Sequence, residues 1–163
     1  MEKKTKQKTG LQLRKRPIQQ RSKLTMGALQ EAFVRVLIER GYEKITIREV
    51  ASTAGVGIGS FYDYAPNLRA LAASVIQKRC MDTVVVLRQS LVGQDGRSMA
   101  EVTDLLLKAL IHEGFGRPKE WTALLMLERQ VSSAAALKKV HEAFVEIWAD
   151  AIRISSTVVP HAK

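Results

Sequence analysis

Apolar residues recur at positions 25/26, 28/29, 32/33 and 36/37, the three-and-four spacing of an amphipathic helix that runs from Ser22 to about Arg40 and stops at Gly41. The same reading continues along the chain. Thr46 and Glu49 form a Ser/Thr-x-x-Glu capping-box pattern at the start of a short helix over Ile47 to about Thr53. Ala54-Gly55-Val56 then supplies a corner at which glycine allows a left-handed backbone, and Gly57 caps a third helix from Ile58 to about Tyr64. Pro66 prevents smooth continuation, and Asn67 caps a long fourth helix through Leu68, Leu71, Ala72, Val75 and Ile76 to about Leu91.

Three more helices follow. A loop over 92–97 leads to a second capping-box pattern, Ser98 and Glu101, opening a helix that reaches about Glu113, with Gly114-Phe-Gly116 ending it. Pro118 suits the first position of the next helix, which carries Trp121, Leu124, Leu125 and Leu127 to about Val131. The last, Ala134 to about Ser155, presents Leu137, Val140, Phe144, Ile147, Trp148, Ala151 and Ile152. No segment alternates as a strand. The expected fold is all-α: a three-helix helix-turn-helix head joined by a long helix to a C-terminal helical bundle.

Charge divides the chain further. Residues 1–21 hold eight Lys/Arg against Glu2 alone, residues 22–79 hold eight bases and five acids, and residues 80–163 hold ten of each. The whole excess of +10 therefore lies in the first half, so a polyanion, and nucleic acid above all, is expected there. Residues 1–21, without apolar periodicity, read as a basic flexible arm. With 163 residues, 46% of them hydrophobic, the remainder can bury an ordinary core.

Several classes of function are disfavoured. The lone Cys80 permits no internal disulfide or Cys-x-x-Cys zinc site, and its simplest role is a small buried hydrophobe. No apolar run approaches the ~18 residues that span a bilayer, and no apolar segment follows the basic start as in a secretory signal, so a cytoplasmic protein with no membrane partner is expected. His112-Glu113 and His141-Glu142 do not make His-Glu-x-x-His, and Gly55-Val-Gly-Ile-Gly59 lacks the preceding strand of a dinucleotide fingerprint. Neither an enzyme nor a cofactor or metal site is expected.

The stretch 46–64 has the form of a DNA-reading unit, in which a short helix is held against a preceding one by a glycine-containing turn. Gly57 and Gly59 permit close approach to phosphates, Ser60, Tyr62 and Tyr64 offer hydroxyls, and Ile58 can touch a thymine methyl. Phe61 is expected to face the core.

These residues carry a resemblance. Arg21 to Leu71 resembles the DNA-binding domain of TetR-type transcriptional regulators in Leu29, Ala32, Leu37, Glu39-Arg40-Gly41-Tyr42, Thr46-Ile-Arg-Glu-Val-Ala51, Ala54-Gly55-Val56, Gly59-Ser60-Phe61-Tyr62 and Leu71. The resemblance implies a domain over about 22–82, with Thr46 and Arg48 as phosphate contacts. It places Gly57, Ile58, Gly59, Ser60, Asp63 and Tyr64 on the recognition helix, Tyr62 at the DNA backbone, and Ala51, Ala54, Val56 and Phe61 in packing. It also implies that residues 83–163 form a helical ligand-binding and dimerisation domain, a homodimer on a palindromic operator in double-stranded DNA, and a small apolar inducer. His112, Phe115, Trp121, Leu125, Met126, Phe144 and Trp148 are candidates for its pocket.

The chain departs from the family's pattern at three positions. Gly57 stands where the family has Ser or Thr, Ala65 where it has a core phenylalanine, and Leu68 where it has a phosphate-holding lysine. Arg69 or the basic arm is the expected substitute for that lysine. Family members commonly carry about nine helices and seven are read here; the expectations are a shortened C-terminal bundle and either a dimer through an exposed apolar face of the last helix or a weak one. The expected function is a ligand-responsive repressor. The alternatives are a weak or non-specific DNA binder, and a small-molecule-binding or interaction protein that no longer binds an operator.

Overall fold

The computed structural model describes residues 15–156, apart from the side chains of 15–19 and 115. Among these residues there are seven α-helices and no strand. They are α1 (Lys15–Arg40), α2 (Ile47–Thr53), α3 (Ile58–Tyr64), α4 (Leu68–Ser90), α5 (Met99–Gly116), α6 (Pro118–Val131) and α7 (Ala134–Ile154), with one turn of 3-10 helix at Tyr42–Lys44. The all-α expectation holds.

Local chemistry explains most boundaries. Asn67 Oδ1 accepts from the Ala70 N–H at 2.8 Å, so the helix after Pro66 starts where an Asn cap places it. At α5 the box is complete: Ser98 Oγ accepts from the Glu101 N–H, and the Glu101 carboxylate accepts from the Ser98 N–H at 2.9 Å. The Ser98 hydroxyl, which also donates to that carboxylate at 2.7 Å, and then the Ser98 N–H hold the Glu101 carboxyl below the ordinary glutamate pKa. Pro118 occupies the first position of α6, where its missing N–H costs nothing.

Two boundaries differ from the sequence reading. Residues 15–21, assigned to a flexible arm, are the first two turns of α1. Apolar periodicity cannot report these turns. Pro17 lies in the first turn, where no N–H partner is required, and the following Gln and Arg residues favour helix by propensity. The rest of the predicted arm, residues 1–14, lies outside the described residues. At the other departure α5 continues through Gly114 to Gly116, beyond the expected end at Glu113.

Two cores result. Leu29, Phe33, Val36, Leu37, Val50, Ala51, Phe61, Leu71 and Val75 of α1 to α4 pack together, and Leu124, Leu127 and Val131 of α6 complete the same cluster. The head expected over 22–82 is thus finished by a helix from the second half. The other core joins Val84 and Leu87 of α4 and Leu91 just after it to Val102 and Leu106 of α5 and Ile147 and Ala151 of α7. The loop before α5 is tied to the end of α7, where the Ser156 N–H donates to the Arg97 carbonyl at 2.8 Å and the Gly96 N–H to the Ile154 carbonyl at 3.0 Å.

Where α1, α4 and α6 meet, Arg79 is 8% exposed. Its Nε donates to Glu120 of α6 at 2.5 Å and its terminal nitrogen to both oxygens of Glu31 of α1 at 2.8 Å. Burial pulls its pKa down, but the two carboxylates outweigh that and hold it above the ordinary arginine value. Arg79→Met is expected to cost about 3 kcal/mol, because it strands the nearly buried Glu120, whereas Glu31→Gln, at a more exposed partner, costs under about 1 kcal/mol. Urea denaturation followed by circular dichroism measures both.

At the next residue, burial and then the charge of Glu128 push the Cys80 thiol up to about 11. The thiol is expected to stay unreactive to a disulfide reagent at neutral pH until the chain unfolds. Because the folded pKa is the higher one, its stabilising contribution is present below the ordinary thiol value of 9.0 and lost as pH rises towards about 11.

Candidate nucleic-acid interface

The unit over 46–64 is built as its residues dictate. Thr46 has extended backbone and its Oγ1 accepts from the Glu49 N–H at 3.2 Å, fixing the start of α2. The reciprocal half of the expected capping box is not made. Glu49 turns its carboxylate to Arg40, 2.6 Å from Nε, and so ties the end of α1 to the first turn of α2. A charged guanidinium N–H is a stronger donor to a carboxylate than a neutral backbone N–H.

The corner is a Schellman turn. Gly55 has φ +70°, its N–H donates to the Ser52 carbonyl at 3.0 Å, and the Val56 N–H reaches back to the Ala51 carbonyl at 2.9 Å. No atom lies within 4 Å of where a Gly55 Cβ would stand, so handedness of the backbone, not space, is what demands glycine. Gly57 opens α3 from extended backbone with no side-chain cap.

Phe61 is fully buried and anchors α3 in the head core, as expected from the sequence. Ala65, one turn later, is 1% exposed and fills with a methyl the position where the resemblance implies an aromatic. The opposite side of α3 is open. Ile58 is 40% and Tyr62 55% exposed, Gly57, Gly59 and Asp63 are exposed, and Ser60 and Tyr64 are half-buried. Thr46, Arg48 and Arg69 are exposed at the starts of α2 and α4. Leu68 packs partly on the head core. The Tyr62 ring meets the Phe61 ring edge-on at 5.6 Å, which fixes the direction of its exposed hydroxyl end.

An open cleft of about 650 Å³ separates α3 from the start of α1. Arg21, Ser22 and Thr25 line one wall, Ser60, Asp63 and Tyr64 the other, and Gly55, Val56 and Gly57 the floor. Sequence reading missed Arg21 here because it assigned the residue to an arm.

The candidates for a ligand pocket do not converge. Trp121 and Leu125 share an open groove of about 380 Å³ with Leu110, Ile111, Gly114, Pro118 and Thr122, and the Trp121 Nε1–H donates to the Glu113 carbonyl at 3.1 Å. Phe144 packs on the second core, while Met126, His112 and Trp148 are exposed at separate places. The Phe115 side chain lies outside the described residues. Helical periodicity identifies apolar faces but not which of them meet.

Among the described residues no helix is long and apolar enough to cross a membrane, and no three His, Cys, Asp or Glu gather as metal ligands. Replacing Gly55 by alanine is expected to destabilise the fold by about 1 kcal/mol through the left-handed backbone. Gly57→Ser, which restores a cap, stabilises it by a few tenths of about 1 kcal/mol. Thermal melts of the two variants check the opposite signs.

Comparison with known proteins agrees with this geometry. Residues 29–75 match the family described as bacterial regulatory proteins, tetR family. No curated protein matches. A TetR family transcription regulator from Marinobacter aquaeolei VT8 superposes with a TM-score of 0.71 at 15% identity, over 83% of this chain and 70% of that one. The fatty acid degradation regulator FadR from Bacillus halodurans gives 0.67 at 19% identity, over 79% of this chain and 66% of that one. A tetR family regulator from Shewanella sp. PV-4 gives 0.66 at 14%, over 79% and 68%. Identities this low speak for the fold, and the matched segment spans α1 to α4. Residues 29–75 therefore carry the N-terminal helix-turn-helix domain of the bacterial tetR regulatory family, within a chain that has the fold of TetR family transcription regulators.

Proposed function

We propose that the chain is a DNA-binding transcriptional regulator, acting as a ligand-responsive repressor that docks α3 in the major groove of a palindromic operator. The observation that carries this reading is the two-sided character of α3, which is buried through Phe61 and exposed through Ile58, Gly59, Tyr62 and Asp63. In that pose Ile58 meets a base edge, and Gly57 and Gly59 let the backbone come close. Tyr62 follows Ile58 one turn later on the same face, and Ser60, Asp63 and Tyr64 line the flank. Thr46, Arg48 and Arg69, at the starts of α2 and α4, hold phosphates, Arg69 standing in for the lysine that Leu68 replaces.

A homodimer is supported by α7. Leu137, Val145, Trp148 and Ile152 form an exposed stripe at helical spacing, about 100° round α7 from the buried Ile147 and Ala151. A second copy of the chain is the occupant proposed for it, since reading a palindrome needs two heads. An apolar inducer is proposed for the groove at Trp121 and Leu125. Beside that groove Arg117 pairs with Glu113 at 3.2 Å and Glu120 at 3.8 Å, and Glu120 pairs in turn with Arg79, which holds Glu31 of the head. A ligand that shifted α6 would thus pull on α1.

Footprinting on DNA upstream of the chain's own gene, with sedimentation of the same sample, tests the reading. Two protected half-sites about 34–36 Å apart and a dimer are expected. Equal affinity for a mixed-sequence duplex at every salt concentration would overturn specific regulation. Within the site, Arg48→Ala is expected to weaken all sequences alike and lower the salt slope by about one unit, while Ile58→Ala alters base preference at one position of each half-site.

A further inference from the structure

We propose that the cleft between α1 and α3 receives a DNA backbone phosphate and that Arg21 is the residue that holds it. The proposal rests on α3 being the recognition helix, and it assigns the contact to the folded start of α1 in place of a trailing arm.

Three observations lead there. First, Arg21 is on the second turn of a helix, so its direction is set by the same backbone that seats Phe33 and Leu37 in the head core. The Thr25 hydroxyl donates to the Arg21 carbonyl at 3.0 Å, within that turn. Second, Arg21 faces α3 across the cleft, with the hydroxyl-bearing Ser22, Ser60 and Tyr64 also lining it. Third, at about 100° per residue the cleft side of α3, through Ser60, Asp63 and Tyr64, lies well round the helix from the face bearing Ile58, Gly59 and Tyr62. If that latter face meets base edges, a strand's backbone passes along the flank, over the cleft.

Chemistry then selects the occupant. The arginine is exposed and, among the described residues, forms no ion pair with Asp63 or any other acid, so its charge is available. A planar guanidinium matches two phosphate oxygens, and hydroxyl groups donate to the same oxygens. Asp63 opposes a phosphate on its own side of the cleft, which confines the anion to the Arg21 wall.

Lys23 provides a matched control. It is exposed, two residues away, about 200° round α1, and does not line the cleft. Arg21→Gln and Lys23→Gln remove the same charge from the same helix. Anisotropy titrations of the full chain and both variants with a mixed-sequence duplex, across a salt series, separate contact from bulk attraction. For Arg21→Gln the slope of log affinity against log salt should fall by about 0.9, with several-fold weaker binding, while Lys23→Gln keeps the parent slope. Equal slopes for the two variants would overturn the phosphate site while leaving the DNA-binding reading standing. An unmodified chain that binds no duplex at any salt would instead overturn that reading, and this proposal with it.

Discussion

Arg79 brings a full positive charge to a place where α1, α4 and α6 meet and water is almost excluded, and the surrounding structure is organised around satisfying it. A buried ion is costly unless its hydrogen bonds are met with good geometry. Here the guanidinium Nε is engaged by Glu120 of α6 and one terminal nitrogen by Glu31 of α1. The interaction adds little net stability over an apolar substitute, but it fixes register. Two greasy helices can slide by a fraction of a turn with small loss, whereas a forked donor between two carboxylates tolerates no such slip.

That constraint explains why the head is not self-sufficient. Leu124, Leu127 and Val131 enter the head core from α6, and the ion pair to Glu120 sets the rotation at which they enter. A substitution on α6 therefore acts on the packing beneath α3, although the two helices are far apart in sequence. The second core, built from α4, α5 and α7, shares only α4 with the first. The long fourth helix is the common wall of both.

Much of this is legible in the sequence. Thr46, Asn67, Ser98 and Pro118 each act within one turn of their own position, so their spacing suffices to place helix starts. Gly55 was legible for the same reason, and so was the inward Phe61. What was not legible depends on partners distant in sequence. Glu49 was read as a capping acid and is drawn to Arg40, and Arg79 gave no signal at all, since a basic residue on a helix is ordinarily solvated. Residues 15–21 were misread because their sequence carries no apolar repeat from which a helix can be read. The scattering of His112, Phe144 and Trp148 away from Trp121 reflects the same limit: a helix's apolar face is written in its own sequence, and its neighbour is not.

Helix α1 runs unbroken over 26 residues, seated by Phe33 and clasped at Glu31, with Arg21 ten residues out towards its N-terminal end. At 1.5 Å per residue that overhang is about 15 Å, so a tilt of about 5° around the clasp sweeps the tip through roughly 1.3 Å. Hydrogen bonds fail over less than that. A movement too small to disturb the core at the fulcrum is thus amplified, by leverage alone, into the making or breaking of a contact at the tip.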